Sequence, residues 1–290
     1  MKPCAVVILF YPNITTINRL LDALFKQNVH CILVDNSSKA QLSEKTLPAG
    51  QYTYICNQKN LGIAEAQNIG LVEASNLGFG FSFVFDQDSQ ITDTFIEKMC
   101  NEWICAQKVD DKLAAIGPQI YCHFTDKLEK PLIQKTISTL APNVHEVNQI
   151  IASGMLLDLQ CFQVIGLKDQ SLFIDGVDHE WCWRARTLGY IIALTQNVVM
   201  RHSLGEKKIN LGVFAVKIGT PVRLYYQTRN LLILSRRSYV PMYWKLRNLL
   251  YLPLKVLINT LLVDQRMLRL KYIIKGFWHG CIGRAGSLDR

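Results

Sequence analysis

An α/β fold with a mostly parallel central sheet flanked by helices is predicted for this chain of 290 residues. Three observations predict it. Short, β-branched apolar runs alternate with windows of helical periodicity. Several of those runs end in aspartate or are soon followed by asparagine, at the strand ends where open parallel sheets bind ligands. The alternation continues as far as His202, and a basic, apolar segment follows from about residue 221.

The elements read in order as follows. Cys4–Phe10 is a β-branched apolar run and a candidate central strand. Asn13–Phe25 carries Ile17, Leu20, Leu21 and Leu24 at helical spacing, with Asn13 or Thr15 as N-cap. Cys31–Val34 and Tyr52–Cys56 are the next strands, and Gly62–Ala74 is the next helix. Phe81–Phe85 runs straight into Asp86-Gln87-Asp88-Ser89, and Thr94–Cys105 is helical. Leu113–Tyr121 reads as a strand, and Lys127–Glu146 as a polar surface loop or hairpin. Ile150–Leu157 is apolar with a Ser153-Gly154 break. Glu180–Leu188 is a helix closed by Gly189. Ile191–Leu194 and Val198–Met200 are two strand-like pieces before His202.

Composition is globular, with 49% hydrophobic and 19% charged residues, which excludes disordered and collagen-like classes. Net charge is +9, yet it is local: residues 221–290 hold 13 Lys and Arg against 2 acidic residues, and residues 1–220 are near neutral. A basic, apolar C-terminal segment points to an anionic surface as partner. From Met267, Leu270, Ile274 and Phe277 recur at helical spacing with Arg269 and Lys275 between them, as in helices that lie in a membrane interface. The alternative is that these helices bury their apolar faces on the rest of the chain. Nucleic acid is not expected as a partner, because no recognised binding module accompanies the charge. The 9 cysteines are odd in number and lack a CxxC pair, which argues for a reduced, cytoplasmic setting and against a zinc site. No apolar stretch is long enough for a transmembrane helix.

Five groups of residues carry candidate chemistry. Asp86 and Asp88 sit two apart after an apolar strand; they suit a hard divalent cation bridging to phosphate oxygens, or else a solvated turn. Asp35-Asn36-Ser37-Ser38 is an Asx-type turn or a carboxylate for a base or ribose. Asn60, Gly62, Asn68 and Gly70 open a helix, whose N-terminus is also a phosphate site. Asp178 and Glu180, followed by Arg184, stand at a helix start; they either complement its dipole or meet at one site as a general base pair. His202 is structural unless it reaches Asp88 as a metal ligand.

Taken together, these segments resemble the inverting glycosyltransferase family 2 with the GT-A fold, from about Ala5 to His202. VDNSS resembles the family's first aspartate motif, NLGIAEAQNIG its N-x-G-x-x-x-x-x-N-x-G stretch, FDQDS its DxD, and ASGMLL its acceptor-side loop. FIDGVDHEWCWRARTLGY resembles the segment with the catalytic base, although Val177 stands where the family usually has an acidic residue. The resemblance implies nucleotide-sugar binding by Asp35, Asn36, Asn60, Gly62 and Asp86. It implies Mg²⁺ or Mn²⁺ on Asp88 and His202, and Asp178 as base. Ser153, Gly154, Glu180 and Arg184 fall on the acceptor or supporting side. The DQDS and VDHEWCWRA forms are most similar to bacterial L-rhamnosyltransferases of O-antigen and surface-polysaccharide synthesis. They imply a dTDP-β-L-rhamnose donor, with a UDP-sugar as the alternative. An undecaprenyl-diphosphate-linked glycan acceptor would suit a peripheral enzyme on the inner face of the bacterial plasma membrane.

The expected organisation is a catalytic domain over 1–220 and a membrane-associating helical segment over 221–290. A nucleotidyltransferase or an NAD-dependent dehydrogenase is disfavoured, because the first strand runs into Tyr11-Pro12-Asn13 with no glycine-rich turn. An inactive membrane-associated scaffold would have lost metal or base residues, and Asp86, Asp88, Asp178 and His202 are all present.

Overall fold

The computed structural model describes residues 2–42, 47–122, 127–128, 136–202, 207–211 and 214–288, with side chains at all of these except 122, 127, 202, 207–211 and 214–218. The chain begins with β1 (Cys4–Leu9), α1 (Ile14–Lys26), β2 (His30–Asp35), β3 (Tyr52–Cys56), α2 (Ile63–Asn76), β4 (Phe81–Asp86) and α3 (Phe95–Gln107). It continues with β5 (Leu113–Cys122), β6 (Lys127–Leu128), β7 (Thr139–Ala141), β8 (Val144–Glu146), β9 (Met155–Asp158), the short α4 (Phe162–Ile165), α5 (Val177–Thr187) and β10 (Ile191–His202). A hairpin of β11 (Lys207–Leu211) and β12 (Phe214–Ile218) leads to α6 (Pro221–Ser235), α7 (Met242–Leu261) and α8 (Arg266–Cys281).

The main sheet runs β3-β2-β1-β4-β9-β5-β10-β8-β7, with β6 on β5. Strands β3, β2, β1 and β4 are mutually parallel, as are β5 and β10. Strand β9 is antiparallel to both β4 and β5 and joins the two parallel blocks. The sheet is thus mostly parallel in its two blocks, with antiparallel strands where they join and at one edge. Successive residues of β1 alternate between two cores. Ala5, Val7 and Leu9 pack towards α1 and α3, while Cys4, Val6 and Ile8 pack towards α2 and α5. Burial on both faces explains why the central strands are unbroken apolar runs.

The helices begin where local chemistry dictates. Asn13 caps α1 by accepting from the Thr16 amide at 3.1 Å. Gly189, at φ 84°, follows the end of α5 and turns the chain into β10. The two strand-like pieces before His202 are one strand: β10 continues through a register shift on β5 between Leu194 and Val199, while Thr195 stays paired with Val144 of β8. A bulge interrupts alternation without ending pairing, so it reads in sequence as a gap. Of the polar stretch 127–146, β7 and β8 form an edge hairpin around Pro142-Asn143, and 129–135 lie outside the described residues.

The C-terminal helices dock through a third core. Leu231, Leu234, Val240 and Trp244 join Ala64 of α2, Leu172, and Val177 and Trp183 of α5. Helix α8 crosses α6 closely enough that a Cβ on Gly276 would stand 2.5 Å from the Tyr225 carbonyl oxygen. Two backbones meet there, and neither can yield cheaply. Gly276→Ala is expected to destabilise the protein by about 1–3 kcal/mol despite the better helix propensity of alanine. A denaturant titration at which the variant matches or exceeds the wild type would refute that close packing.

Candidate active site

Three adjacent parallel strands, β2, β1 and β4, end at one rim of the sheet and are cross-linked there. The Asn36 amide donates to the Leu9 carbonyl at 2.8 Å, and the Tyr11 amide to Ser37 Oγ at 2.8 Å. Gln87 brackets Phe10, accepting from its amide at 2.7 Å and donating to its carbonyl at 3.2 Å. Phe10 and Tyr11 stand exposed on this collar with ring centroids 4.8 Å apart. In the sequence Phe10 is the last apolar residue of the first strand and Tyr11 stands where a glycine-rich turn would begin, and neither pattern marks the pair as a site.

Asp35 is fully buried at the end of β2. One oxygen accepts the Ser37 amide at 2.9 Å; the other accepts the Gln41 amide at 3.0 Å and the Tyr54 hydroxyl at 2.6 Å. Burial, reinforced by this bond to a carboxylate, pushes the Tyr54 phenol well above its ordinary range. The local outcome is the Asx-type turn, and the carboxylate shapes the loop after β2. Asn36 is a second buried hub. It donates to Asn60 Oδ1 and the Gly62 carbonyl, and accepts from the Asn57 side chain and the Leu61 amide.

Each part of the asparagine-glycine stretch acquires a physical reason. Asn60 accepts the Gly62 amide at 3.0 Å. Gly62 takes φ 86°, and a Cβ there would meet Phe173 at 2.6 Å. The Phe173 carbonyl accepts the Ile63 amide at 2.7 Å and the Ala64 amide at 3.4 Å. The first amides of α2 are thus capped by the chain itself: a buried helix end needs acceptors, and the loop before α5 supplies one. Gly70 lets α2 approach β1, since a Cβ would lie 2.3 Å from Val6. Asn68 reaches across the molecule to the Lys168 backbone, accepting its amide at 2.9 Å and donating to its carbonyl at 2.8 Å.

That clamp fixes Lys168, whose side chain is fully buried and whose Nζ lies 3.2 Å from Asp178 Oδ1. The other oxygen of Asp178 accepts the Ala152 amide at 3.1 Å. Asp178 therefore sits at the N-terminus of α5, partly exposed and held from two sides. Nothing in the sequence singles out Lys168; it is one lysine in an ordinary loop, and only folding sets it opposite Asp178.

Glu180 does not share that site. Residues two apart on a helix point in different directions. Glu180 is buried and accepts from Arg184 Nε at 2.8 Å and the Tyr239 hydroxyl at 2.7 Å, with Arg237 at 3.4 Å. Arg184 also donates to the carbonyls of Ile165 and Leu167. The pair thus holds the loop that carries Lys168 and ties α5 to the turn after α6. Arg229 and Asn230 of α6 act likewise: Asn230 Nδ2 donates to the Leu172, Ile174 and Asp175 carbonyls, and Arg229 to Ser171 and Leu172. In the sequence Arg229 and Asn230 follow Gln227 and Thr228 in a polar run, so only the fold shows that the pair is buried.

Asp86 and Asp88 lie in one turn at the end of β4, closed by the Ser89 amide on the Asp86 carbonyl at 3.0 Å. Ser153 Oγ donates to Asp86, so the Ser153-Gly154 break meets the DxD turn directly. Gly154, at φ 77°, sends its amide to the Val84 carbonyl at 2.8 Å. Gln90 and Arg201 form an isolated antiparallel bridge, with mutual backbone bonds of 3.0 and 3.2 Å. The bridge brings the end of β10 beside this turn, so the His202 backbone comes close to Ser89; the His202 side chain lies outside the described residues.

Collar, DxD turn and Asp178 together, on a mixed sheet of this order, define a nucleotide-sugar transferase of GT-A type. The family Glycosyl transferase family 2 matches residues 5–152, and the chain belongs to it. A dTDP-rhamnosyl transferase, RfbF of Shigella flexneri, is 28% identical over 279 residues, covering 93% of this chain and 91% of that protein. The structure of TarS 1–349 from S. aureus, in complex with UDP-GlcNAc, is similar with a TM-score of 0.59 at 12% identity, over 97% of this chain and 81% of that one. The structure of GalNAc-T7 with UDP, GalNAc and Mn²⁺ is similar at 0.58 and 12%, over 94% and 55%. The protein is a glycosyltransferase.

Removing Glu180 strands three donors. Glu180→Ala is expected to cost about 3–5 kcal/mol in chemical denaturation, as breaking buried ion pairs does; a loss below 1 kcal/mol would exclude the anchoring role. Burial and the bond to Glu180 push the Tyr239 phenol from 10.0 up to about 12. Its folded pKa is raised, so its contribution is complete below pH 10 and is lost as pH climbs through 12. Tyr239→Phe should therefore flatten the alkaline limb of a stability-against-pH curve, and an unchanged limb would count against it.

Proposed function

We propose that this glycosyltransferase moves L-rhamnose from dTDP-β-L-rhamnose, with inversion, onto a hydroxyl of an undecaprenyl-diphosphate-linked glycan during bacterial surface-polysaccharide synthesis. The single observation that carries the donor is the near full-length likeness to a dTDP-rhamnosyl transferase. A UDP-hexose donor is the second reading, favoured by the fold shared with the UDP-GlcNAc complex.

The nucleoside lies against the collar. Tyr11 offers an exposed aromatic face beside the loop that Asp35, Asn36, Asn60 and Gly62 organise, and Asp86 closes the far side. The donor set of the DxD turn suits a hard divalent cation, since aspartate oxygens are the preferred ligands of Mg²⁺ and Mn²⁺. Asp88 and His202 would hold it. When bound, such an ion neutralises the negative charge that develops on the leaving diphosphate. Asp178 takes the proton from the acceptor hydroxyl as that oxygen attacks the anomeric carbon. Lys168 and the Ala152 amide occupy one site on each of its oxygens, which fixes the carboxylate while leaving its exposed lone pairs for the acceptor. Ser153 and Gly154 line the acceptor side, and Glu180 and Arg184 support it by holding the Lys168 loop.

We further propose that residues 221–290 attach the enzyme to the anionic inner face of the plasma membrane. No helix among the described residues is long and apolar enough to cross a membrane. Helix α7 nevertheless exposes Leu246, Leu250, Leu254, Leu257 and Leu261, and α8 exposes Ile274, Phe277 and Trp278. The two helices carry seven basic residues and no acidic one. Each basic residue near an anionic surface is worth about 1 kcal/mol.

Purified protein with Mn²⁺ is expected to release dTDP from dTDP-β-L-rhamnose, and Asp88→Ala to abolish the release. Preferential turnover of a UDP-hexose would overturn the donor, and no turnover of any nucleotide sugar would favour an inactive scaffold. Asp178→Asn should lower kcat by about 10²–10⁴-fold with donor affinity nearly unchanged, as loss of a general base does; turnover near wild type would remove Asp178 from that role. Co-sedimentation is expected with anionic but not zwitterionic vesicles, and to be lost in Leu250→Glu/Leu254→Glu. Equal sedimentation of both proteins would refute the membrane face.

A further inference from the structure

A cavity of about 260 Å³ lies between the N-terminal turn of α5, helix α6 and helix α7. It is separate from the strand-end collar and is lined by Gly176, His179, Gln227, Trp244, Asn248 and Lys255 among others. Its charge is unbalanced. The Lys255 ammonium donates to Gln227 Oε1, a neutral acceptor. The carboxylate on the cavity wall, Asp175, is taken by Arg223 in a two-point pair. No carboxylate stands within ion-pair distance of Lys255 among the described residues. Burial lowers the Lys255 pKa to about 8 and holds His179 below the ordinary imidazole range. The first turn of α5 adds the positive end of its dipole to the same wall, through Gly176 and His179. A part-buried ammonium whose hydrogen-bond partner is neutral, and whose nearby carboxylate Asp175 is already paired with Arg223, is better satisfied when an anion completes it.

Helix α7 says what kind of anion. Trp244, Asn248, Tyr251, Leu252 and Lys255 recur on one stripe and face the cavity. On the opposite side Leu246, Leu250, Leu254 and Leu257 are about half or more exposed, Leu250 at 79%. One helix thus presents an apolar stripe outward and an ammonium inward, the two chemistries of an amphiphile with a phosphorylated head. His179, on the cavity wall, directly follows Asp178 in the chain.

We propose that this cavity binds the phosphate or diphosphate group of a lipid-linked acceptor, with Lys255 as its cationic ligand and the outer face of α7 against the lipid. The assignment rests on the lipid-linked acceptor proposed above. Lys255 and the α5 amides hold the head group, Trp244 and Asn248 wall it in, and the first sugar is directed along α5 towards Asp178.

Farnesyl diphosphate, titrated against the full-length protein by tryptophan fluorescence, is the probe. Saturable binding is expected, weakened about tenfold or more in Lys255→Met and within about threefold of wild type in Lys255→Arg, as loss or retention of a charge-assisted bond dictates. Farnesol binding as tightly, or Lys255→Met binding unchanged, overturns the proposal. Inorganic pyrophosphate binding as tightly overturns its lipid source. On the wild-type protein, farnesyl diphosphate should slow acetylation of Lys255 relative to the other lysines, read by mass spectrometry. An unaltered rate overturns the site even where Lys255→Met does not fold. Hydrolysis of dTDP-β-L-rhamnose needs no acceptor and reports the transferase separately: donor turnover with Lys255 unprotected sinks the cavity alone. Transfer to a lipid-free glycan with farnesyl diphosphate ignored sinks the lipid-linked acceptor with it.

Discussion

The ion pair between the buried Lys168 and the partly exposed Asp178 is the constraint around which the second half of the molecule is arranged. A fully buried ammonium must be matched by a carboxylate at short range, because desolvation would otherwise outweigh any packing gained. Its position is therefore over-determined. Asn68 grips the Lys168 backbone from α2, Arg184 grips the two carbonyls that precede it, and Glu180 grips Arg184. The same loop continues into Phe173, whose carbonyl caps α2. One network of polar groups thus joins the first parallel block, the helix bearing Asp178, and the C-terminal helices.

This arrangement gives the asparagine-glycine stretch a role distant from its place in the chain. Asn60 and Gly62 shape the rim at the end of β2, while Asn68, two turns along α2, reaches the loop a hundred residues later. The motif ties the rim at the end of β2 to the loop that carries Lys168 through one rigid helix. Likewise Ser153 couples the Ser-Gly break to Asp86, and Ala152 offers its amide to Asp178. The DxD turn and Asp178 are spanned by two consecutive residues.

The C-terminal helices divide between two tasks. Helix α6 is mostly inward and supplies Arg229 and Asn230 to the loop before α5. Helix α7 keeps one face on the third core and α8 packs against α6, and each leaves another face apolar and open. Packing on the rest of the chain and exposure of an apolar stripe coexist in these helices because a helix has more than one face.

The sequence by itself determined the elements that depend on short-range patterning. Strands β1 to β4 and helices α1 to α3 were legible to within a residue or two, because strands buried on both faces are unbroken apolar runs and helices repeat every three to four residues. The collar of polar strand ends was legible for the same reason. Tertiary structure alone decided what depends on distant partners. It joined the two halves of β10 across a bulge, inserted β9 antiparallel between the parallel blocks, and separated Asp178 from Glu180. It also turned Asp35 into the centre of a buried turn and set Lys168 opposite Asp178. Side-chain periodicity is written residue by residue along the chain. The position of a buried charge is settled only when distant segments meet, as Asn68 meets the Lys168 backbone a hundred residues later.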